Sequence, residues 1–183
     1  MADTLTLDDI NEESRGQLFV QDYSAKPTIE GVKIIPVKNF VSEDGDFSEI
    51  IRMTGGKIEG LEEVDVKQVN RSRLLSGSVK AWHLHFGQDD IFYLPPSDSL
   101  FVGLWDLRKS SKTNGVSMRI TLGAGQSSLL YIPRGVAHGM TNISGQPIDL
   151  FYFVTAQFDP QNPDERRVPW DALGADFWTP KKE

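Results

Sequence analysis

The three histidines are the residues of this 183-residue chain whose chemistry is easiest to place. His83 and His85 stand two positions apart in the stretch GSVKAWHLHFGQDD, and His138 lies in IPRGVAHGMTN. A neutral imidazole can act as a general base or bind a metal ion. On a β-strand alternate side chains share a face, so His83 and His85 point one way while Trp82 and Leu84 point the other. If a sheet returns His138 beside this pair, all three histidines meet in one pocket.

The segments that must position these histidines have the pattern of short β-strands. From Val64 onward, runs rich in β-branched and aromatic residues alternate with turn sequences such as LPPSDS, SSKTNG and ISGQP. This spacing predicts an all-β sandwich, jelly roll or barrel. We expect one domain over residues 29–183, preceded by a polar arm at 1–28, with a tail at about 160–183 that wraps the barrel.

Composition narrows the class of function. The formal net charge of -7 argues against binding to nucleic acid or to an anionic membrane. No apolar run approaches the ~20 residues of a membrane span. The first residues, MADTLTLDDINEESRG, lack an apolar signal core, so we expect a cytoplasmic protein. The chain has no cysteine, which excludes disulfides and thiolate metal sites.

The strand that carries His83 and His85 also indicates an oligomeric state, because side chains on both of its faces have to be buried. In SVKAWHLHF the histidine face would be internal, while the opposite face carries Trp82, Leu84 and Phe86. A face this apolar is unfavourable in water. The simplest cover is a second subunit, which predicts a homodimer.

The histidine spacing also allows a metal centre. The run from Gly77 to His85, with Asp89 and Asp90 shortly after it, resembles the first cupin motif, and the turn that ends at His138 resembles the second. Together with His83, these side chains would form a site of three histidines and one carboxylate for a divalent metal. The usual glutamate of the motif is replaced by aspartate, and this site is an alternative interpretation of the same residues.

A second resemblance extends over most of residues 31–178. The matching pieces are Gly45-x-Phe47-x-Glu49, Gln68-Val69-Asn70-x-Ser72, Gly77 to His83, Asp106-Leu107-Arg108, Ile132-Pro133-x-Gly135-x-Ala137-His138-Gly139, Tyr152, Glu165, Asp171 and Trp178. In order and spacing the chain resembles the dTDP-4-dehydrorhamnose 3,5-epimerase family. The resemblance implies a dimeric cupin jelly roll, that is, a double-stranded β-helix, which uses no metal or other cofactor. It implies a nucleotide-sugar substrate whose hexose is a 4-keto-6-deoxy sugar.

The resemblance also implies a role for each matching residue. The family's catalytic histidine falls on His83, which would remove a proton beside the ketone and leave an enolate. Asp171 would orient the imidazole of His83, and Tyr152 would deliver a proton from the other side of the sugar. The implied substrate contacts are Phe47 and Glu49 to the nucleotide base, Gln68, Asn70 and Lys80 to the sugar and phosphates, and His138 to the diphosphate.

The chain departs from the family pattern where the enolate oxygen must be stabilised. No lysine or arginine lies between Lys80 and Arg108, so the family's enolate-stabilising lysine has no counterpart. We expect His85, on the same strand face as His83, to be the substitute donor. His85 could equally be the second histidine of a metal site or of a sugar 3,4-ketoisomerase, a related cupin that also carries a His-x-His strand. Three interpretations stay open: a nucleotide-sugar epimerase or isomerase, a metal-binding cupin, and a catalytically inactive module that binds a sugar nucleotide.

Overall fold

Two five-stranded antiparallel sheets form the body of the protein, which a computed structural model describes over residues 4–55 and 57–181. Within these ranges the strands are β1 (Lys33–Pro36), β2 (Asn39–Ser42), β3 (Gly45–Ser48), β4 (Met53–Thr54), β5 (Lys57–Ile58), β6 (Gln68–Leu74), β7 (Val79–His85), β8 (Asp90–Tyr93), β9 (Ser99–Asp106), β10 (Ser117–Gly123), β11 (Ser128–Ile132), β12 (Val136–Thr141), β13 (Ile148–Val154) and β14 (Glu165–Arg167). Short helical segments lie at Leu7–Asp9, Glu12–Arg15 and Ala175–Trp178.

The order of the strands is that of a jelly roll. It is β1-β11-β8-β13-β6 in the first sheet and β10-β9-β12-β7-β14 in the second. Consecutive strands from β6 to β14 alternate between the two sheets, except for β9 and β10, which are neighbours in the second sheet. Buried side chains that include Phe92, Leu104, Leu130 and Met140 fill the space between the sheets. The predicted all-β jelly roll is confirmed.

The two histidine-bearing strands, β7 and β12, are neighbours, and His83 lies opposite His138 in their register. The predicted alternation holds on β7, because His83 and His85 face a cavity between the sheets while Trp82 packs on the outside. The register shifts before Met140, which pairs with Lys80. Such an irregularity changes the face to which a side chain points. Lys80 therefore lines the same cavity as His83.

The C-terminal tail covers the outer face of the second sheet. β14 pairs with β7, and Trp178 packs on Trp82 with ring centroids 4.7 Å apart. Gly139 makes this approach possible, since a Cβ at that position would lie 2.8 Å from the Trp178 ring. Trp82 is fully buried and Leu84 packs in the same cluster, which leaves Phe86 exposed. The prediction that a second subunit covers this face is wrong, because the chain's own tail covers it.

The first sheet is covered on its outer face by the segment between β3 and β6. Ile58, Leu61 and Val64 are buried there against side chains of β8 and β11. The hairpin of β2 and β3 projects from this layer, with Phe40 and Phe47 largely exposed. Across the described ranges, none of the helices has the length and apolar character needed to span a membrane.

Candidate active site

A cavity of about 740 Å³ opens between the two sheets. Seven of the side chains that the sequence assigned to a site line it: Gln68, Asn70, Lys80, His83, His85, His138 and Tyr152. The imidazole ring of His138 lies 5.8 Å from that of His83 and 5.6 Å from that of His85, measured between centroids. The prediction that all three histidines converge on one pocket is confirmed.

His83 is held by two residues of β14. The guanidinium of Arg167 donates a hydrogen bond to Nε2 of His83 at 2.9 Å, and a carboxylate oxygen of Glu165 lies 3.4 Å from Nδ1. A guanidinium can only donate, so Nε2 carries the lone pair and Nδ1 carries the proton. Arg167 and Glu165 also form an ion pair with each other. The site therefore presents a histidine whose tautomer is set by its neighbours.

Asp171, the predicted orienting carboxylate, does not contact His83. The pairing of β14 with β7 puts Arg167 opposite His83 and Glu165 opposite His85. After Arg167 the chain leaves the cavity and turns, so Asp171 is exposed to solvent. The prediction of an Asp171 to His83 hydrogen bond is corrected, and Glu165 occupies that place.

The electrostatics of the cavity favour a neutral His83. Burial is the largest cause, and the charges of His138 and Arg167 add to it, so that the pKa of His83 falls to about 3. Burial also lowers the pKa of His85. A neutral imidazole carries a lone pair at neutral pH, as a base or a metal ligand must, and in this structure the lone pair of His83 accepts from Arg167.

Asp90 is the carboxylate that meets the other two histidines. Its Oδ2 lies 3.0 Å from Nε2 of His138 and 3.6 Å from Nε2 of His85. Burial by itself would raise the pKa of Asp90, but the hydrogen bond with His138 and the nearby histidine charges outweigh it, so the pKa lies below its usual range. Both Asp90 and His138 are almost fully buried.

Asp89, which the alternative metal set included, points away from the histidines. Its carboxylate accepts hydrogen bonds from the side chain of Arg134 at 3.0 Å and from the hydroxyl of Tyr131 at 3.2 Å. Consecutive residues at the start of a strand face opposite sides, so only one of the two aspartates can point into the cavity. The alternative metal set of His83, His85, Asp89 and His138 is therefore corrected, because the aspartate that faces His85 and His138 is Asp90 and not Asp89.

The opposite wall of the cavity comes from the first sheet. Tyr152 on β13 packs edge-on against Phe92, with centroids 6.0 Å apart. Burial, and then the negative charge of Asp90, raises the pKa of Tyr152, so its hydroxyl keeps a proton at neutral pH. On β6, Gln68 donates to the side-chain oxygen of Asn70 at 2.8 Å. The phenol of Tyr152 and the amides of Gln68 and Asn70 thus line the cavity on the side of the first sheet.

Lys80 supplies a positive charge between the two walls. Its Nζ donates to the hydroxyl of Ser72, on the facing sheet, at 2.7 Å. Among the described residues that line the cavity, the only other lysine or arginine is Arg167. These two side chains are the groups available to an anionic ligand.

Phe47 and Glu49, predicted to hold the nucleotide base, lie outside the cavity of their own chain. Phe47 stacks on Phe40 of the same hairpin with centroids 6.4 Å apart and is 64% exposed. Glu49 forms hydrogen bonds with Arg52. Within one chain, the structure does not bring this hairpin to the histidines.

Asp90, Glu165 and Arg167 are among the cavity residues that had no specific role in the sequence analysis. The signal for Asp90 was its position next to Asp89, but the sequence does not say which of the two turns inward. Glu165 belongs to the family pattern without an implied role. Arg167 reaches His83 across 84 positions of sequence, and no local pattern predicts that pairing.

The jelly roll and its histidine-lined cavity define the class of protein, an enzyme of the cupin type. The family model for dTDP-4-dehydrorhamnose 3,5-epimerase matches residues 26–181. The chain therefore belongs to the dTDP-4-dehydrorhamnose 3,5-epimerase family, and it is a nucleotide-sugar epimerase, an isomerase. The resemblance carried by the sequence motifs is confirmed.

Two proteins of polysaccharide and glycan biosynthesis are similar to this chain in sequence. The spore coat polysaccharide biosynthesis protein SpsL of Bacillus subtilis (strain 168) is 36% identical over 143 residues, which are 78% of this chain and 91% of that protein. The probable low-salt glycan biosynthesis epimerase Agl13 of Haloferax volcanii is 30% identical over 146 residues, 79% of this chain and 90% of that one.

A solved structure also shares the fold. The epimerase RmlC from Legionella pneumophila Philadelphia 1, in complex with dTDP-4-keto-L-rhamnose, superposes with a TM-score of 0.70 and 25% identity, over 86% of this chain and 83% of that one. The agreement extends over most of both chains, so the two proteins share the same fold.

Proposed function

We propose that the enzyme acts on the 4-keto-6-deoxyhexose of a nucleotide sugar and that His83 removes a proton from a carbon beside the ketone. Such protons are acidic because the carbanion is delocalised onto the carbonyl oxygen as an enolate. Return of a proton on the opposite face inverts the carbon. The Legionella relative, which is in complex with dTDP-4-keto-L-rhamnose, supports this class of sugar.

The observation that carries the proposal is the orientation of His83. Its Nε2 lone pair lies in the cavity wall and accepts a hydrogen bond from Arg167. Its Nδ1 faces Glu165, which can stabilise the imidazolium that forms when His83 takes a proton. The substrate has to replace Arg167 at Nε2, and the displaced guanidinium is then free to pair with a phosphate.

Tyr152 is suited to return the proton from the other side. It belongs to the first sheet, whereas His83 belongs to the second, so a sugar bound between the sheets has one of these groups on each face. Because its pKa is raised, Tyr152 is a phenol and not a phenolate at neutral pH. The enolate oxygen then lies toward the wall of His85.

The other cavity residues suit the rest of the substrate. Lys80 would pair with the diphosphate, and Gln68 and Asn70 would hydrogen-bond to the sugar and phosphates. The contact of His138 with the diphosphate stays a prediction. His138 lines the cavity, and its Nε2 contacts Asp90 at 3.0 Å. The expectation of a cytoplasmic enzyme stays a prediction.

The homodimer also belongs to this proposal, on new grounds. The resemblance assigns Phe47 and Glu49 to the nucleotide base, yet their hairpin is exposed and lies outside its own cavity. A partner subunit that receives the hairpin of β2 and β3 at its cavity would reconcile the two. Sedimentation should report about twice 20.5 kDa. Phe47→Asp should weaken association, whereas a monomeric wild type at micromolar concentration would contradict the dimer.

Deuterium exchange tests the proposed reaction. A nucleotide 4-keto-6-deoxyhexose incubated with the enzyme in deuterated water should gain deuterium beside the ketone, and its position shows whether one carbon or two react. His83→Asn should lose ~10²-fold or more of this exchange, as expected for a missing general base. Unchanged nucleotide binding and unfolding temperature would show that the variant is folded.

Two results would overturn the proposal. Exchange by His83→Asn at the wild-type rate would end the assignment of His83 as the base. A wild type that binds nucleotide sugars and exchanges none of their protons would favour the inactive binding module.

A further inference from the structure

Three buried side chains at the floor of the cavity have the arrangement of metal ligands. One ligand atom from each of His85, Asp90 and His138 lies within 4.8 Å of the other two. These residues are 9%, 3% and 4% exposed. They come from three strands, since His85 is on β7, Asp90 on β8 and His138 on β12. The cluster was found among the residues that the structure describes.

The hydrogen bonding of His138 turns its Nε2 toward Asp90, where a proton or a metal ion can lie between the two groups. Its Nδ1 lies 3.2 Å from the carbonyl oxygen of Val136, which can only accept, so Nδ1 carries the proton. In the neutral ring Nε2 is then a lone pair, and it faces the Asp90 carboxylate at 3.0 Å. Two acceptors at this distance repel each other unless a proton or a metal ion lies between them.

We propose that the cavity contains a site for one divalent transition-metal ion held by His85, Asp90 and His138. Ligands of such an ion lie about 2.0–2.2 Å from it, and neighbouring ligands are then roughly 3.0–3.5 Å apart. The 3.0 Å separation of Asp90 from His138 falls in this range, and the 3.6 Å separation of Asp90 from His85 lies just above it.

The surroundings orient two of the three ligands. The proton on Nδ1 of His138 is donated to a backbone carbonyl, the usual second contact of a metal-ligating histidine. Gln88 donates to Oδ1 of Asp90 at 2.8 Å, which leaves Oδ2 facing the histidines. Asp89, the neighbouring acid, is occupied by Arg134. The carboxylate is thus positioned for the histidines and for no other described cation.

His85 is the ligand whose ring nitrogens have no hydrogen bond among the described residues. Its Nδ1 is buried without a hydrogen-bond partner among the described residues. Its Nε2 is 3.6 Å from Asp90, beyond hydrogen-bond distance. A buried imidazole with no hydrogen bond is costly, and coordination of Nε2 to an ion would give the ring one partner. The other nitrogen, Nδ1, lies 4.0 Å from the carboxylate of Asp164. His83 stays outside the set because its Nε2 accepts from Arg167.

Two histidines and one carboxylate favour ions that accept both nitrogen and oxygen ligands, such as Zn²⁺, Fe²⁺ or Co²⁺. With three protein ligands, the ion would keep coordination positions open toward the cavity, and an oxygen of the bound substrate could fill one of them. A carbonyl oxygen bound there would be polarised. The ion would thereby stabilise the enolate, which is the role of the lysine that this chain lacks. This role rests on the proposed function, but the ion-binding site itself does not.

Titration of the full-length protein tests the site. Protein freed of metal with a chelator should bind one Zn²⁺ per chain by calorimetry, and Co²⁺ should give visible absorption bands of a protein-bound ion. Asp90→Asn and His138→Gln should each weaken Zn²⁺ binding by more than about 10-fold, because a lost ligand costs at least as much as a lost second contact. His83→Gln is the matched control and should bind as the wild type does.

Thermal unfolding keeps the test decisive if a variant is unstable. The wild type should melt higher in excess Zn²⁺ than without it, as for any ligand of the folded state. No Zn²⁺ or Co²⁺ binding by the wild type, or binding that survives in Asp90→Asn and is lost in His83→Gln, would overturn the proposal. Deuterium exchange reports separately: exchange without ion binding defeats this site alone, and ion binding without exchange defeats only the proposed reaction.

Discussion

Arg167 on β14 donates a hydrogen bond to Nε2 of His83 on β7 at 2.9 Å, in a pairing that places the two residues directly opposite each other. Glu165, two positions earlier, faces the other ring nitrogen. The C-terminal tail therefore supplies both partners of the histidine that the family resemblance makes the base. The tautomer of His83 therefore depends on the packing of this tail against β7.

The first prediction compares two carboxylates of the tail. Glu165→Gln should lower the rate of deuterium exchange on the order of 10-fold, because the imidazolium of His83 loses a negative neighbour. Asp171→Asn, at an exposed position without contact to His83, should leave the rate unchanged. Rate measurements on both variants under saturating substrate decide between them. The opposite ranking would restore Asp171 as the orienting residue.

A second prediction separates proton removal from inversion. Tyr152→Phe removes only the hydroxyl and keeps the ring contact with Phe92. His83 can still remove a proton and return one from the same face, so exchange should persist while formation of the inverted sugar falls ~10²-fold or more. Proton NMR of the product distinguishes the two outcomes. Equal loss of exchange and inversion would show that Tyr152 does not act on the second face.

The third prediction concerns the tail as a structural element. Trp178→Ala should lower the free energy of unfolding by about 3–5 kcal/mol, because a buried indole leaves a cavity against Trp82. Urea unfolding measures this loss. Trp170→Ala is the control, since this side chain is 48% exposed and only its carbonyl oxygen accepts from Trp178. Similar losses for both variants would contradict the packing role of Trp178.

A fourth prediction follows from Asp106, a fully buried carboxylate at the end of β9. Burial alone would raise its pKa, but hydrogen bonds from Arg108, Ser111 and Thr113 outweigh it and hold the pKa well below its usual range. The unfolded chain therefore binds the proton first, so the stability that Asp106 contributes is complete above its ordinary pKa of about 4 and is lost as pH falls below it.

The Asp106→Ala variant tests this contribution. It should lose about 3 kcal/mol of unfolding free energy at pH 7, because Arg108 is left without its partner. The difference from the wild type should shrink as pH drops below about 4. Urea unfolding at several pH values measures it. A difference that does not vary with pH would mean that the carboxylate charge is not what stabilises this end of β9.

Much of the fold and half of the site could be predicted from sequence because both depend on local spacing. The two-residue period of a strand places His83 and His85 on one face and Trp82 on the other, whatever the strand's neighbours are. The turn before His138 was readable from its own residues, since Pro133 and Gly135 are typical of turns. Their convergence needed only that β7 and β12 be neighbours, which a jelly roll provides.

The remaining contacts were decided by pairings between distant segments. Which of two adjacent aspartates turns inward depends on how β8 enters its sheet, and Asp90 does so because it pairs within β8 while Asp89 precedes the strand. The partner of His83 depends on the register of β14, where a shift of two residues would exchange Arg167 for another side chain. Spacing along the chain thus determined which histidines could act together. Hydrogen-bonded register between strands far apart in sequence decided which carboxylates and which cation accompany them.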